Sequence, residues 1–340
     1  MHNFLKIEDY LAGEMARKRI PGLSLAIVKD GQTLIKKHYG LANVELAAPV
    51  TDGTVYEIAS ITKSFTAFAI MLLAEDGRLR LDDPLARFLP GLPAHWVGLT
   101  VRHLLTHTSG IENWTLDWSR PDITPEVVAE ALFGPPLLFA PGAQSSYSDA
   151  NYNLLGMLIS GLTGMTYDAF LQARVLGPLA MTATRHNDVR AIVPGRAEGY
   201  DYAGEALARS GRILWEHINL SPDVPANGAN GSLLSTLDDL LRWDAEWTRP
   251  TLLPAMRMAQ MTTPAVLTNG TLTTRGIGCE VENYHGHMLV EFAGGVPGFT
   301  TTLSRFVNER LTVILLTNQD SKPWDMARVA AGLFEPALAR

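Results

Sequence analysis

Ser60 and Lys63 stand three residues apart in EIASITKSFTAFAIMLLAEDG, residues 57–77. After Lys63 the segment is apolar from Phe65 to Ala74 except for Thr66, which predicts a helix buried on every side and ending at Asp76-Gly77. A buried ammonium is expensive, so a lysine at the start of such a helix asks for a reason. At a helix N-terminus, unpaired backbone N–H groups and the positive dipole end stabilise a developing oxyanion beside a serine. A lysine three residues on shares that face and reaches the hydroxyl. Desolvation disfavours its charged form, making a neutral, proton-accepting amine possible. The plain alternative is a serine N-cap and a lysine whose stem runs out to solvent. Chance alone supplies roughly 0.3 such pairs in a chain of this composition, so the spacing leaves both readings open.

Two distant stretches favour chemistry. PGAQSSYSDANYNLLG, residues 141–156, presents Tyr147 on a loop just before a helical pattern, where a phenol shares a proton with Lys63 and relays it to a leaving group. FAGGVPGF, residues 292–299, leaves a strand and enters a Gly-rich turn, where the backbone approaches a ligand closely and offers an N–H. Simple packing of an inter-domain tyrosine and a tight sheet turn are the alternatives.

Other chemistries are excluded. Two glycines nowhere flank a serine as G-x-S-x-G, and neither a P-loop nor G-x-G-x-x-G occurs. His103 and His107 have zinc-protease spacing, but Leu104 stands where the glutamate belongs; packing or capping is expected of them rather than metal ligation. His285-Gly286-His287 flanks a hairpin turn without a third ligand, so surface histidines are expected there. Cys279, the only cysteine, forms no internal disulfide and reads as a small buried hydrophobe. Neither metal nor cofactor is expected. A net charge of −7 spread without runs argues against nucleic acid. The stretch Ser64 to Ala74 is too short to cross a bilayer, so no membrane partner is expected. No charged-then-apolar leader opens the chain, and a cytoplasmic location is the expectation.

The elements that hold these residues follow from periodicity. Phe4, Ile7, Leu11 and Met15 recur at helical spacing. LSLAIVK and QTLIKKHY, joined by Asp30-Gly31, predict a hairpin. Short helices are expected over Val101–Leu105, Pro125–Leu132, Tyr152–Leu162 and Tyr167–Val175. Another is expected over Thr236–Trp247, started by Ser235 with Asp238 as a capping box. From Leu272, LTTRGIGCEVE, HMLVEFA, FTTTLSRFV and LTVILLTN read as strands, with a turn at Asn308-Glu309-Arg310, before a last helix over Trp324–Leu338. Strands at both ends predict one antiparallel sheet flanked by terminal helices, an α+β fold with a mostly helical insertion. The expected domains are 1–77 with 245–340, and 78–244, with the active site in the cleft between them.

On these residues the chain resembles the serine β-lactamase and penicillin-binding protein superfamily, and more narrowly class C β-lactamases with their esterase and D-aminopeptidase relatives. The resemblance rests on S-I-T-K at 60–63, TVRHLLTHTSGI at 100–111, YSDANYNLLG at 147–156, GANGSLLSTLDDLLRW at 228–243 and GGVPGF at 294–299, in the family's order. It implies a β-lactamase/transpeptidase-like fold, Ser60 as a nucleophile that forms an acyl-enzyme, Lys63 and Tyr147 as general base and relay, and an oxyanion hole of the Ser60 and Gly295 N–H groups.

The sequence departs from that pattern twice. Where the family has Lys-Thr-Gly or His-Thr-Gly, this chain has Phe292, Ala293 and Gly294, and no lysine lies between Lys63 and Lys322. An apolar site with weak carboxylate recognition and a preference for neutral acyl groups is expected, and some esterases of the family are similar in carrying an aromatic there. Asp149 replaces the asparagine of Tyr-x-Asn; a carboxylate near Lys63 favours its ammonium form and shifts the base role toward Tyr147. Asp149, Phe292, Ala293 and Gly294 are the candidate substrate contacts, with Trp114 and Trp118 as candidate walls of the acyl pocket. The expected activity is metal-independent hydrolysis of a small ester or amide. β-Lactamase or D-amino-acid peptidase action on a lactam or amide is the close rival, and a non-catalytic penicillin sensor the third reading. The sequence leaves the oligomeric state open.

Overall fold

The computed structural model describes residues 2–339 apart from 90, 114–129, 131–132, 189 and 211–227. The N-terminal periodicity becomes helix α1 (His2–Lys18). The hairpin follows as β1 (Gly22–Lys29) and β2 (Gln32–Asn43), turned by Asp30 and Gly31 with φ of 54° and 77°, the left-handed pair that a two-residue hairpin demands. Short strands β3 (Ala48–Pro49) and β4 (Tyr56–Glu57) lead into a 3-10 turn, Ala59–Ile61, and helix α2 (Thr62–Glu75).

The next segment carries α3 (Val101–Leu105), α4 (Asp149–Thr163) and α5 (Tyr167–Leu171), then β5 (Arg185–His186), the small ribbon β6 (Tyr200–Ala203) and β7 (Ala206–Arg209), and β8 (Leu233–Ser235). Helices α6 (Leu237–Thr248) and α7 (Ala255–Met261) precede β9 (Glu280–Tyr284), β10 (His287–Val296), β11 (Phe299–Phe306), β12 (Leu311–Thr317) and α8 (Pro323–Phe334).

The chain ends meet in one antiparallel sheet ordered β3-β2-β1-β12-β11-β10-β9. β1 lies in register with β12, Leu23 opposite Thr317 and Lys29 opposite Leu311, although nearly three hundred residues separate them. Alternation sorts the side chains. Leu23, Leu25 and Ile27 of β1, with Val313 and Leu315 of β12, pack under Ile7 and Leu11 of α1 and Met326, Ala327, Ala330 and Ala331 of α8. Ala26, Leu303, Ile314 and Leu316 face the other way, into the core around α2. Because both faces are covered, LTVILLT is buried throughout rather than on alternate residues.

Three expectations shift. The capping residue of α6 is Thr236, whose hydroxyl accepts from Asp239 N–H at 3.2 Å, one residue after the expected Ser235–Asp238 pair. Ser235 is already the last residue of β8. The expected boundary at 244/245 falls inside α6, and β8 pairs with β4, so the chain rejoins the first segment before that helix. Residues 272–279 form only isolated bridges; Gly276 and Gly278 interrupt the run, and β9 starts at Glu280. The helix expected over Pro125–Leu132 falls almost entirely outside the described residues.

Candidate active site

Ser60 sits in the 3-10 turn, preceded by Ala59 at φ 48°, a left-handed conformation that costs a non-glycine residue about 1–2 kcal/mol. The turn feeds α2, which is buried from Thr62 to Ala74, so the nucleophile candidate is seated on a rigid element. Ser64 Oγ inside α2 accepts from Trp243 Nε1 at 3.1 Å, and Trp243 stacks on Phe65 with ring centroids 4.0 Å apart. That packing ties α2 to α6.

Lys63 is 4% exposed, and its ammonium donates to three acceptors: Ser60 Oγ at 3.0 Å, Asp149 Oδ1 at 2.6 Å and the Asn230 carbonyl at 2.6 Å. Ser60 Oγ lies 2.8 Å from the Tyr147 phenol oxygen, and that phenol donates to Asp149 Oδ1 at 3.2 Å. The hydroxyl, amine and phenol from three distant points of the sequence thus converge. Asp149 joins them instead of standing free for substrate.

Burial works against the charge of Lys63, but Asp149 and Tyr147 outweigh it and hold the amine above its ordinary range. Burial likewise works against ionising Asp149, and Lys63 overrides it, holding the carboxyl below its ordinary value. Burial, with Asp149 beside it, pushes the Tyr147 phenol up. The ground state is therefore an ammonium, a carboxylate and a neutral phenol. Of the two states open in the sequence, a neutral amine from desolvation or an ammonium beside Asp149, the geometry favours the ammonium: three acceptors occupy its three donors, one of them a carboxylate.

Tyr147 is held by His107, whose ring stacks on the phenol with centroids 4.6 Å apart. His107 Nδ1 accepts from the Ser148 N–H and from Asn151 Nδ2, each at 3.2 Å, which leaves the ring proton on Nε2. Burial, then the Lys63 and Arg275 charges, keeps His107 neutral, well below its ordinary pKa. Its expected part as a packing or capping residue holds here. His103 caps α3 reciprocally with Thr100.

On the sheet side, Gly294 passes so close to the serine turn that a Cβ there would lie 2.3 Å from the Ile58 carbonyl oxygen and 3.0 Å from Ser60 N. β10 continues as strand through these glycines to Val296, closing on Pro297-Gly298 opposite Phe299, so the turn comes later than the sequence suggests. Alternation from that closing pair puts Gly295, opposite Thr300, at a position exchanging no backbone bonds with β11. Its N–H therefore points away from β11, out of the strand edge.

The adjoining cavity, about 360 Å³, is lined by Ser60, Lys63, Tyr147, Phe292 and Ala293, and also by Arg275, Glu280, Glu291, Asp325 and Arg328. Phe292 is only 3% exposed, its ring packed edge-on against Trp247 at 4.8 Å; Gly294 packs against the serine turn rather than lining the cavity. The site is less apolar than Phe-Ala-Gly predicts: Phe292 and Ala293 do line it, but charged side chains from other elements line the opening as well. Arg275, ion-paired with Glu280 and 5.7 Å from the Tyr147 ring, brings a cation into the cavity lining, although no lysine is near in sequence. Asn230 was equally invisible, because a carbonyl has no side-chain signature; only the tight Gly-Ala-Asn-Gly turn hinted at it. Trp114 and Trp118 lie outside the described residues. Among the described residues, no group of three or more His, Cys, Asp or Glu side chains is arranged to hold a metal, and no single helix is long and apolar enough to cross a membrane.

A serine on a helix start, its lysine one turn on, a tyrosine from a second segment and a glycine strand edge closing over them are the marks of one fold class, the β-lactamase/transpeptidase fold. The chain belongs to the beta-lactamase family, whose model matches residues 7–337, within the serine β-lactamase and penicillin-binding protein superfamily of serine hydrolases. It is 29% identical over 307 residues to penicillin-binding protein 4* of Bacillus subtilis, covering 86% of this chain and 67% of that protein. It is 31% identical to the protein flp of Staphylococcus aureus over 70% of this chain, spanning 47% of that relative's length. Among solved structures, the octameric penicillin-binding protein homologue from Pyrococcus abyssi superposes with a TM-score of 0.83 at 29% identity, over 97% of this chain and 76% of that one. The D-amino acid amidase of Ochrobactrum anthropi SV3 gives 0.79 at 25% identity, over 98% of each.

Proposed function

We propose that this protein hydrolyses small esters and amides through an acyl-enzyme on Ser60. The observation that carries the reading is Ser60 Oγ held between the Tyr147 phenol at 2.8 Å and the Lys63 ammonium at 3.0 Å. Ser60 Oγ attacks the carbonyl carbon and its proton leaves toward Tyr147. The carbonyl oxygen takes the π pair as an oxyanion, met by the Ser60 and Gly295 N–H groups, each donor worth about 3 kcal/mol of barrier. Lys63 stays charged and steadies the developing alkoxide. Collapse expels the alcohol or amine, which regains the proton through Tyr147, and water then repeats the sequence on the acyl-enzyme.

A second reading, hydrolysis of amino-acid amides, is favoured by the charged opening: Glu280 and Asp325 suit a substrate ammonium better than a plain acyl chain. The test offers purified protein short-chain nitrophenyl esters, D-alanyl amides and a chromogenic cephalosporin. Turnover of esters or amides well above the cephalosporin, abolished by Ser60→Ala, is expected. Cephalosporin turnover far above both would make the protein a β-lactamase. Labelling of Ser60 by a fluorophosphonate with no substrate turned over would make it a sensor.

A further inference from the structure

Lys63 and Tyr147 share a partner that neither needs merely to be positioned. Asp149 Oδ1 accepts from Lys63 Nζ at 2.6 Å and from the Tyr147 phenol at 3.2 Å, and that phenol also meets Ser60 Oγ at 2.8 Å. The three oxygens form one unbroken line, Ser60 hydroxyl to Tyr147 phenol to Asp149 carboxylate. With all three Lys63 N–H groups donated, the amine has no lone pair to offer. An asparagine at 149 would supply an amide oxygen to the same neighbours but could not take a proton.

We propose that Asp149 is the terminal proton acceptor of this site. As Ser60 Oγ bonds to the substrate carbonyl carbon, the Ser60 proton passes to Tyr147 while the Tyr147 proton passes to Asp149 Oδ1; on collapse both return in reverse to the leaving group. No net charge is created on the phenol, and Lys63 remains an ammonium throughout. This rests on the acyl-enzyme reading above and adds to it where the proton goes.

Asp149 begins α4, with its N–H donated to Asn113 Oδ1 at 2.8 Å. The charged and titratable groups facing it are Lys63 from α2 and Tyr147 from its own loop, with His107 and Arg275 behind the phenol. Asn230, the neutral member, holds Lys63 from the β8 side. A carboxylate is a weaker base than an amine, but it is in its accepting form at every pH above its own pKa, which Lys63 holds low. The relay therefore works in mildly acidic solution, where an amine or phenolate base is protonated.

The test compares pH profiles of kcat/KM on a nitrophenyl ester for the wild type, Asp149→Asn and Asp149→Glu, each checked for folding by circular dichroism. The wild type is expected to stay level from about pH 5.5 to 8.5. Asp149→Asn should lose 30-fold or more at pH 6 and recover as pH rises, when Tyr147 or Lys63 must ionise. Asp149→Glu should keep the level profile at a reduced rate. An Asp149→Asn enzyme with an unshifted profile, slower or not, or one faster than wild type at pH 6, would overturn the proposal. Ser60→Ala, run alongside, isolates the underlying reading: if it retains turnover, the acyl-enzyme itself is wrong, whatever Asp149 does.

Discussion

Gly294 and Gly295 are chemically identical neighbours with opposite expected responses to one added methyl group. A Cβ on Gly294 lands 2.3 Å from the Ile58 carbonyl oxygen, 2.9 Å from Thr301 Oγ1 and 3.0 Å from Ser60 N, whereas on Gly295 the nearest atom is Thr300 Cγ2 at 3.6 Å. Ile58 O is itself held by the Thr301 hydroxyl at 3.1 Å, so it cannot swing aside freely. Relieving the clash at 294 requires β10 and the serine turn to part by about 1 Å to reach ordinary contact. That shift separates the Gly295 N–H from the Ser60 N–H. Loss of one oxyanion donor costs about 10²–10³ in kcat, and overpacking adds about 1–3 kcal/mol of destabilisation. Gly294→Ala should therefore lower kcat on a nitrophenyl ester at least a hundredfold and slow fluorophosphonate labelling of Ser60 in parallel. Gly295→Ala keeps its N–H and should stay within about fivefold of wild type. The assay is steady-state kinetics on both variants, with thermal melts to confirm folding at the assay temperature. Equal losses in the two, or a Gly294→Ala enzyme as fast as wild type, would refute the assignment of that strand edge to the oxyanion.

Other perturbations follow from single contacts. Phe292→Ala removes a buried ring from Trp247 and should cost about 3–5 kcal/mol in a urea titration. Asp244 (3% exposed side chain) is ion-paired with Arg305 beneath α6 and accepts from Thr312 Oγ1 at 3.0 Å; Asp244→Ala strands the buried guanidinium and should cost about 3–5 kcal/mol. Glu280→Gln should raise KM for D-alanyl amides about tenfold while leaving acetate esters nearly unaffected, if a substrate ammonium docks there. Asp149 contributes stability that is complete above the ordinary carboxylate pKa of about 4 and is lost as pH falls through its lowered folded value. Asp149→Asn should accordingly flatten the acid limb of a melting-temperature profile.

The sequence by itself carried the local physics. Apolar periodicity placed α1 and α2, Asp30-Gly31 the first hairpin and Asn308-Glu309-Arg310 the last, because these depend on a residue and its near neighbours. Ser60 and Lys63 were legible because a hydroxyl and an amine one turn apart on a buried helix have few reasons to be there, and Tyr147 because of its loop before a helix. What only the tertiary structure decided is the environment of those groups. Whether Lys63 is charged depends on Asp149 and the Asn230 carbonyl, 86 and 167 residues away, and electrostatic energy follows distance in space through a medium of low dielectric. The charge of the cavity was illegible for the same reason: Phe292 and Ala293 line it as the strand implies, but Arg275, Glu280 and Arg328 arrive from the approach to β9, β9 itself and α8. Local propensity is a property of short segments; the charge and shape of a site belong to whichever segments the fold brings together.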